Sequence, residues 1–184
     1  MRLLSTKILP QDFRDRLLMH QFSLVEQSFI KIIPLENPKI ETIFDALIFT
    51  SKNAVETVFS SPEIIKMIEG KVAYCVGKKT AMLLEENGQK VVKIVKNSLE
   101  LARFLSKNNK YQSFLYFCGK LRIPDLEDIL SVNGIKIQPI EVYDTQLQNQ
   151  RVKGHFDGIL FFSPSGVRGY AQSNGFENTH SFCL

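Results

Sequence analysis

The chain alternates short apolar runs with stretches in which hydrophobic residues recur every three to four positions. The apolar runs predict strands and the periodic stretches predict helices. In the middle of the chain the predicted strands are, in order, ALIFTS, KVAYCVG, KVVKIV, SFLYFCG and IKIQPIEVY. The helices predicted between them are NAVETVFS, KKTAMLLEENG, SLELARFLSKN and IPDLEDILSVNG. This alternation predicts an α/β fold with parallel sheet flanked by helices.

Residues at the helix ends support these assignments. Ser98 is the expected N-cap of one helix, and Gly88 and Gly134 follow the ends of two others, where glycine is favoured. At the start of the chain, RLLSTKIL and SFIKIIPL are predicted strands on either side of the helix PQDFRDRLLMHQ. The apolar face of this helix is expected to contain Phe13, Leu17 and Leu18.

One strand-and-turn sequence occurs twice. FDALIFTSKNAV and FDGILFFSPSGV share Phe, Asp, Phe, Ser and Val at the same offsets. The repetition predicts two α/β domains of one design. We expect residues 1–35 and 146–184 to form a discontinuous domain, with 36–145 inserted as the second domain. The polar stretch DTQLQNQRVKGH is expected to be a linker, and two chain crossings make a natural hinge.

The second copy also suggests how its domain ends. SFCL, at the end of the sequence, aligns with AYCV of the first copy, which continues into a further turn and helix. A strand without a following helix leaves a sheet face thinly covered. We therefore expect the C-terminal domain to be incomplete and poorly ordered near its end.

Composition limits the possible functions without identifying one. The 184 residues carry a formal net charge of +4, which suits an anionic ligand but does not require one. No apolar run is long enough for a membrane span, and the start lacks the features of a signal peptide. We expect a cytoplasmic monomer that binds neither nucleic acid nor membrane.

The cysteines, histidines and repeated aspartates show no pattern of a catalytic or metal site. Cys75, Cys118 and Cys183 are widely spaced in apolar runs, which is typical of buried, reduced strand residues. The three histidines are expected to be surface or loop residues. Asp45 and Asp157 begin the two repeated strands, where a structural role in binding N–H groups is expected. No metal is predicted.

Four turns at predicted strand ends are candidates for anion binding. Ligands of open α/β sheets bind where strands end and helix N-termini present free N–H groups. Glycine in such a turn lets a ligand approach the backbone. Equally, Ser, Thr and Asn are preferred as ordinary N-caps. No phosphate-binding loop, dinucleotide fingerprint or catalytic carboxylate pair is present. The turn residues of interest are Thr50, Ser51, Asn53, Gly77, Thr80, Cys118, Gly119, Ser163, Pro164, Ser165 and Gly166.

Five segments together resemble the motifs of uroporphyrinogen-III synthases. In order they are ALIFTSKNAVETVF, AYCVGKKTAMLLEENG, YFCGKLRIPDLEDIL, IEVYDT and FDGILFFSPSGVRGY. The resemblance implies two α/β domains, one inserted in the other, joined by a two-stranded linker. It also implies a lyase of haem biosynthesis that uses no cofactor or metal. Its substrate would be hydroxymethylbilane, a linear tetrapyrrole with eight carboxylates, which is cyclised with inversion of the last ring.

The resemblance also implies roles for particular residues. Tyr143, in VYDT, would be the general acid near the departing hydroxyl group, and the turn residues named above would hold substrate carboxylates. Tyr143 could equally be an ordinary aromatic residue at the end of a hinge strand. The chain could also be an inactive truncated homologue, or a two-domain protein that binds a polycarboxylate without turnover. A response-regulator-like or nucleotide-binding domain is a weaker alternative, because its acidic cluster or glycine frame is missing.

Overall fold

The computed structural model describes residues 1–35, 40, 44–108, 113–177 and 179–184. In chain order the strands of this part of the chain are β1 (Arg2–Ser5), β2 (Ser23–Glu26), β3 (Ile30–Pro34), β4 (Ala46–Phe49), β5 (Val72–Val76), β6 (Val91–Val95), β7 (Ser113–Gly119), β8 (Lys136–Leu147), β9 (Gly158–Phe161) and β10 (His180–Cys183). The helices are α1 (Gln11–Met19), α2 (Lys52–Phe59), α3 (Pro62–Ile68), α4 (Lys78–Glu86), α5 (Ser98–Asn108), α6 (Asp125–Val132) and α7 (Pro164–Ala171).

The chain divides into two compact units. Unit 1 comprises Met1–Ile32 and Thr145–Leu184, and unit 2 is the continuous segment Ile33–Asp144. The start of the predicted inserted domain, residue 36, lies outside the described residues. Within each unit, parallel strands alternate with helices in the sequence, so the predicted α/β fold class is confirmed.

Unit 1 contains a four-stranded sheet in the order β10-β9-β1-β2, and all its neighbouring strands are parallel. Its core includes Leu4, Phe29, Ile159, Phe161 and Tyr170. Two of these aromatic rings, Phe29 and Phe161, meet the ring of Tyr170 edge to face, an arrangement that aromatic quadrupoles favour.

Unit 2 contains a six-stranded sheet in the order β3-β8-β7-β4-β5-β6. The strands from β8 to β6 are parallel to their neighbours. Strand β3 is antiparallel to β8, because Leu35 N–H donates to Val142 O whereas Phe29 O accepts from Gln148 N–H. Each of these two adjacent strands continues from one unit into the other.

Several element predictions at the start and middle of the chain were incomplete. Strand β2 was not predicted, and it, rather than SFIKIIPL, is the strand that pairs with β1. Helix α3 was also missed, although Ser61 caps it and Pro62 begins it. Its apolar residues Ile64 and Ile68 are buried.

Three boundary and burial predictions were wrong in detail. Strand β8 continues to Leu147, so its last residues are not linker. The side chain of Asn97, not Ser98, accepts the hydrogen bond from Glu100 N–H that caps α5. Leu18 is exposed rather than part of an apolar contact face.

The last residues of the sequence form a strand of unit 1. Residues His180–Cys183 pair in parallel with β9. All four residues are exposed. Cys183 is therefore exposed, contrary to prediction, whereas Cys75 and Cys118 are buried and free as predicted. The three histidines are exposed as expected.

The predicted structural role of the repeated aspartates is confirmed. Asp45 Oδ2 accepts hydrogen bonds from Ser113 N–H and Ser113 Oγ–H, at 2.8 and 2.9 Å. Asp157 Oδ2 accepts from Arg2 N–H at 2.6 Å. In both units the carboxylate thus ties the start of one strand to the start of its parallel neighbour.

Candidate functional site

Strand ends in unit 2 bring several of the predicted residues to one edge of its sheet. Strands β8, β7, β4 and β5 are consecutive neighbours and parallel, so their carboxyl ends lie along the same edge. Gly119, Ser51 and Gly77 lie at or just beyond the ends of β7, β4 and β5, and Tyr143 lies within β8, where it pairs with Gly119. Each of these residues is predicted separately from the sequence, and the order of the strands places them side by side.

Ser51 caps helix α2. Its Oγ accepts a hydrogen bond from Ala54 N–H at 3.1 Å, and its backbone is extended, as is usual at an N-cap. The first-turn N–H groups of a helix have no intrahelical acceptor and carry a partial positive charge. This helix end can therefore hold a carboxylate by backbone groups alone.

A bulge in strand β8 places Tyr143. Cys118 pairs with Glu141, but the next residue of β7, Gly119, pairs with Tyr143, so Val142 is one extra residue in β8. Such a bulge re-aims the side chains that follow it. Val142 and Tyr143 are both buried. Lys120 N–H donates to Tyr143 O at 2.9 Å and continues the ladder past the bulge.

The Tyr143 ring lies against Gly119 and its hydroxyl group meets Ser51. A Cβ at residue 119 would be 2.5 Å from Tyr143 Cζ and 2.8 Å from its hydroxyl oxygen, so glycine is required there by the ring. This differs from the expectation that Gly119 is small to admit a ligand. The Tyr143 and Ser51 hydroxyl oxygens are 3.0 Å apart, within hydrogen-bond distance. Only 8% of Tyr143 is exposed.

A second tyrosine–hydroxyl pair lies beside the first. Thr50 Oγ1 and the Tyr116 hydroxyl oxygen are 2.9 Å apart. Burial raises the pKa of Tyr116 far above that of a free phenol, and the hydrogen bond with Thr50 only partly opposes this. Tyr116 was not singled out from the sequence, because it is one of several apolar and aromatic residues in a continuous core strand.

Two predicted ligand-binding residues are buried in unit 2. The Cys118 side chain lies in the core, where its thiol donates to Ile140 O at 3.5 Å, and burial raises its pKa to about 12. Its side chain is therefore unavailable to a ligand at this sheet edge, a correction to the prediction. Thr80 is also buried, within α4. Gly77 precedes α4 with φ of 84°, a conformation that favours glycine.

The charged groups at this edge are of two kinds. Arg122 is tied to Glu127 and Glu141 by ion pairs of 2.6 and 2.7 Å, so its charge is already neutralised. Burial alone would lower the pKa of Arg122, but its hydrogen bonds to the two carboxylates raise it. By contrast, Lys78, the first residue of α4, and Lys120, which follows β7, are exposed. These lysines can add diffuse positive potential for an anionic ligand.

Unit 1 has a similar helix end at the carboxyl edge of its own sheet. Ser163 Oγ accepts from Gly166 N–H at 3.1 Å and is 3.1 Å from Ser165 Oγ. Pro164 occupies the first turn of α7, where its missing N–H costs nothing. These four residues therefore form the capped N-terminus that the sequence predicted.

Residues beyond the predicted set also surround this helix end. At the end of β1, Thr6 Oγ1–H donates to Leu160 O at 2.8 Å. The Lys7 ammonium lies 4.0 Å from the centroid of the Phe162 ring. A cavity of about 510 Å³ adjoins the helix end, with Phe161, Phe162, Val167 and Leu184 among the residues that line it.

The described residues contain no group of three or more His, Cys, Asp or Glu side chains that could hold a metal ion. Across that same part of the chain, every helix is too short or too polar to cross a membrane. The capped ends of α2 and α7 suit carboxylates, and the Tyr143 hydroxyl lies beside the first of them.

Comparisons with a family model and with solved structures indicate the same family. The family model described as uroporphyrinogen-III synthase HemD matches residues 11–182. A crystal structure of uroporphyrinogen-III synthetase from Helicobacter pylori 26695 is similar, with 25% sequence identity and a TM-score of 0.71. The similarity covers 100% of this chain and 84% of that chain.

A more distant structure shares the fold. A mutant uroporphyrinogen III synthase from the extremely thermophilic bacterium Thermus thermophilus is 13% identical, with a TM-score of 0.66 over 100% of this chain and 84% of that one. Among curated protein sequences, none matches this chain.

Proposed function

The chain belongs to the uroporphyrinogen-III synthase family, and we propose that in its present form it converts hydroxymethylbilane into the macrocycle with the last pyrrole ring inverted. The family is one of lyases in tetrapyrrole biosynthesis, the pathway that leads to haem. The observation that carries the proposal is the position of the Tyr143 hydroxyl beside the capped N-terminus of α2 at a sheet edge. We also expect a cytoplasmic monomer.

Carboxylates of the substrate would be held mainly by backbone N–H groups. Eight carboxylates need many donors, and helix N-termini supply them without desolvating a crowd of lysines. Ser51 and Ser163 cap the helices whose ends are suited to this role. The residues assigned to carboxylate binding are Thr50, Ser51, Asn53, Gly77, Thr80, Gly119, Ser163, Pro164, Ser165 and Gly166. Thr80 and Gly119 would contribute through their backbone only. Pro164 has no N–H and would contribute only by starting α7.

Tyr143 is the proposed general acid of the first step. The C–O bond of the hydroxymethyl group breaks, and the departing hydroxyl takes the phenolic proton and leaves as water. The remaining azafulvenium cation is attacked by a pyrrole carbon of the last ring, and the resulting spiro intermediate reopens and closes in the inverted sense. In the final closure the pyrrole carbon that forms the new bond loses its proton, which returns to the Tyr143 phenolate. Most of the rate and all of the isomer selectivity then depend on the conformation in which the protein holds the linear tetrapyrrole.

The proposal is tested with freshly generated hydroxymethylbilane and separation of the product isomers. The wild-type chain should raise the yield of the type III isomer above type I. Tyr143→Phe should lower kcat for type III formation by about 100-fold, at the low end for loss of a general acid. Tyr74→Phe, which removes a hydroxyl group from the core of the same unit, is the matched control.

Two results would contradict this proposal. Type I product alone, at the spontaneous rate, would show that the chain is inactive, and a thermal-shift titration with uroporphyrin would then show whether it still binds a polycarboxylate. Unchanged type III formation by Tyr143→Phe would remove Tyr143 from the chemistry.

A further inference from the structure

The contacts of the Ser51 hydroxyl determine what it can offer Tyr143. A hydroxyl group has one proton and two lone pairs. One lone pair of Ser51 Oγ accepts Ala54 N–H at 3.1 Å, at the positive end of α2. The partial positive charge of that helix end disfavours a hydroxyl proton that points towards it. The Tyr143 hydroxyl oxygen lies 3.0 Å from Ser51 Oγ and is the partner within reach.

We propose that Ser51 is a positioning residue that donates its hydrogen bond to Tyr143 and so leaves the phenolic proton free for the substrate. This rests on the function proposed above for Tyr143. If the phenol donated to Ser51 instead, its proton would be engaged within the protein. With Ser51 as donor, negative charge that develops on the phenolic oxygen during proton transfer is stabilised by this hydrogen bond and by the end of α2.

Two further contacts hold the phenol where Ser51 can reach it. The ring is packed on Gly119, at a distance that leaves no room for a Cβ. The backbone of Tyr143 is fixed after the bulge by the hydrogen bond from Lys120 N–H. Contacts with Gly119, Lys120 and Ser51 therefore fix the position of the Tyr143 hydroxyl group.

Ser51→Gly tests the hydroxyl group of Ser51 separately from the backbone of the helix end. Glycine is tolerated at an N-cap nearly as well as serine, and the backbone N–H groups at the helix end are kept. We expect kcat for type III formation to fall by about 10- to 100-fold, the range for a lost hydrogen bond to a group that gains charge. KM should change by less than about twofold, because the backbone N–H groups assigned to carboxylate binding are kept. Ser51→Thr, which keeps the hydroxyl group, should restore most of the rate.

Ser61→Gly is the matched control. Ser61 caps α3 in the same way, accepting from Ile64 N–H at 3.5 Å. It should leave kcat and KM unchanged. The melting temperatures of Ser51→Gly and Ser61→Gly should both stay close to that of wild type, which separates a kinetic effect from unfolding.

A double variant distinguishes this proposal from the one on which it rests. In the Tyr143→Phe background, Ser51→Gly should cause no further loss of kcat, because the two residues act as a unit. Full additivity of the two losses would overturn the positioning role. An increase in KM alone for Ser51→Gly would also overturn it. So would a wild-type kcat for Ser51→Gly when Tyr143→Phe is slow. An unaffected Tyr143→Phe enzyme instead overturns the acid role of Tyr143 itself.

Discussion

Asp45 and Asp157 show how one side chain can set the pairing of two parallel strands. Each follows a buried phenylalanine and accepts a hydrogen bond from a backbone N–H of the neighbouring strand, Ser113 and Arg2 respectively. Parallel neighbours are joined by long connections, so their register receives no help from a tight turn. We infer that the Phe-Asp pair occurs in both units because each unit must fix the register of two parallel strands.

Replacement of Asp45 by Asn should reduce stability in a pH-dependent way. The hydrogen bonds from Ser113, first from its N–H and then from its hydroxyl, hold the pKa of Asp45 below its ordinary value. A lowered folded pKa gives stability that is present above the unfolded pKa of about 4 and is lost as pH falls through the folded pKa. Asp45→Asn should therefore lower the melting temperature by a few degrees at pH 7, and the difference from wild type should shrink steadily as the pH falls below about 4.

Glu69→Gln is a suitable control for Asp45→Asn. Glu69 is an exposed carboxylate in the same unit, so its removal should have little effect at either pH. A difference between Asp45→Asn and wild type that is equally large at pH 3 and pH 7 would contradict a role for the ionised carboxylate.

At the scale of single elements, α7 depends on a glycine for its packing. A Cβ at residue 169 would lie 2.2 Å from the backbone oxygen of Phe29 and 3.0 Å from its Cβ. Phe29 is fully buried and lies in the segment between β2 and β3. Because the first obstacle is a backbone atom, a rotamer change cannot relieve the contact, and the helix must move.

Gly169→Ala should therefore destabilise unit 1. Alanine favours a helix over glycine by about 1 kcal/mol, but the forced shift of α7 against Phe29 outweighs this gain. We expect a net loss of about 1–3 kcal/mol in the free energy of unfolding, as for other overpacked core sites, measured by urea denaturation. Gly175→Ala is the control, because a Cβ there would meet no atom within 4 Å. A Gly169→Ala protein as stable as wild type would show that α7 packs differently.

The elements that the sequence predicted well are those whose signal is local. Strands β4, β5 and β7 are continuous apolar runs, and the helices after them begin at residues suited to helix starts, such as Ser51 and Gly77. Strand β2, SLVE, has only two apolar residues, and the last residues of β8 are mostly polar. Both were missed because their strand conformation comes from pairing with distant residues, which periodicity does not report.

The candidate site was predictable in its residue types but not in its contacts. Ser51 and Tyr143 were both selected from the sequence, yet their hydrogen bond joins residues far apart in the chain. It depends on one extra residue in β8, and no local signal marks Val142 as the insertion. The sequence predicted that Gly119 leaves room for a ligand. Only the packed structure shows that the Tyr143 ring occupies the space beside it.

At the scale of the whole molecule, the arrangement of the two units along the chain indicates which of them can fold alone. Unit 2 is one continuous segment whose core cluster draws only on its own residues, among them Ile48, Leu101, Phe114 and Leu130. Unit 1 is assembled from both ends of the chain. A continuous segment with its own core is expected to fold alone, whereas a discontinuous one needs both of its segments.

Residues 33–144, expressed as a separate polypeptide, should therefore fold without the rest of the chain. The fragment should unfold in a single cooperative thermal transition, followed by circular dichroism, because the core and the β7-β4-β5-β6 part of its sheet are complete within it. A fragment of equal length, residues 60–171, cuts through both units and should show no cooperative transition. If 33–144 behaves like 60–171, the inserted segment is not an autonomous domain, and its stability must come from contacts with the remaining chain.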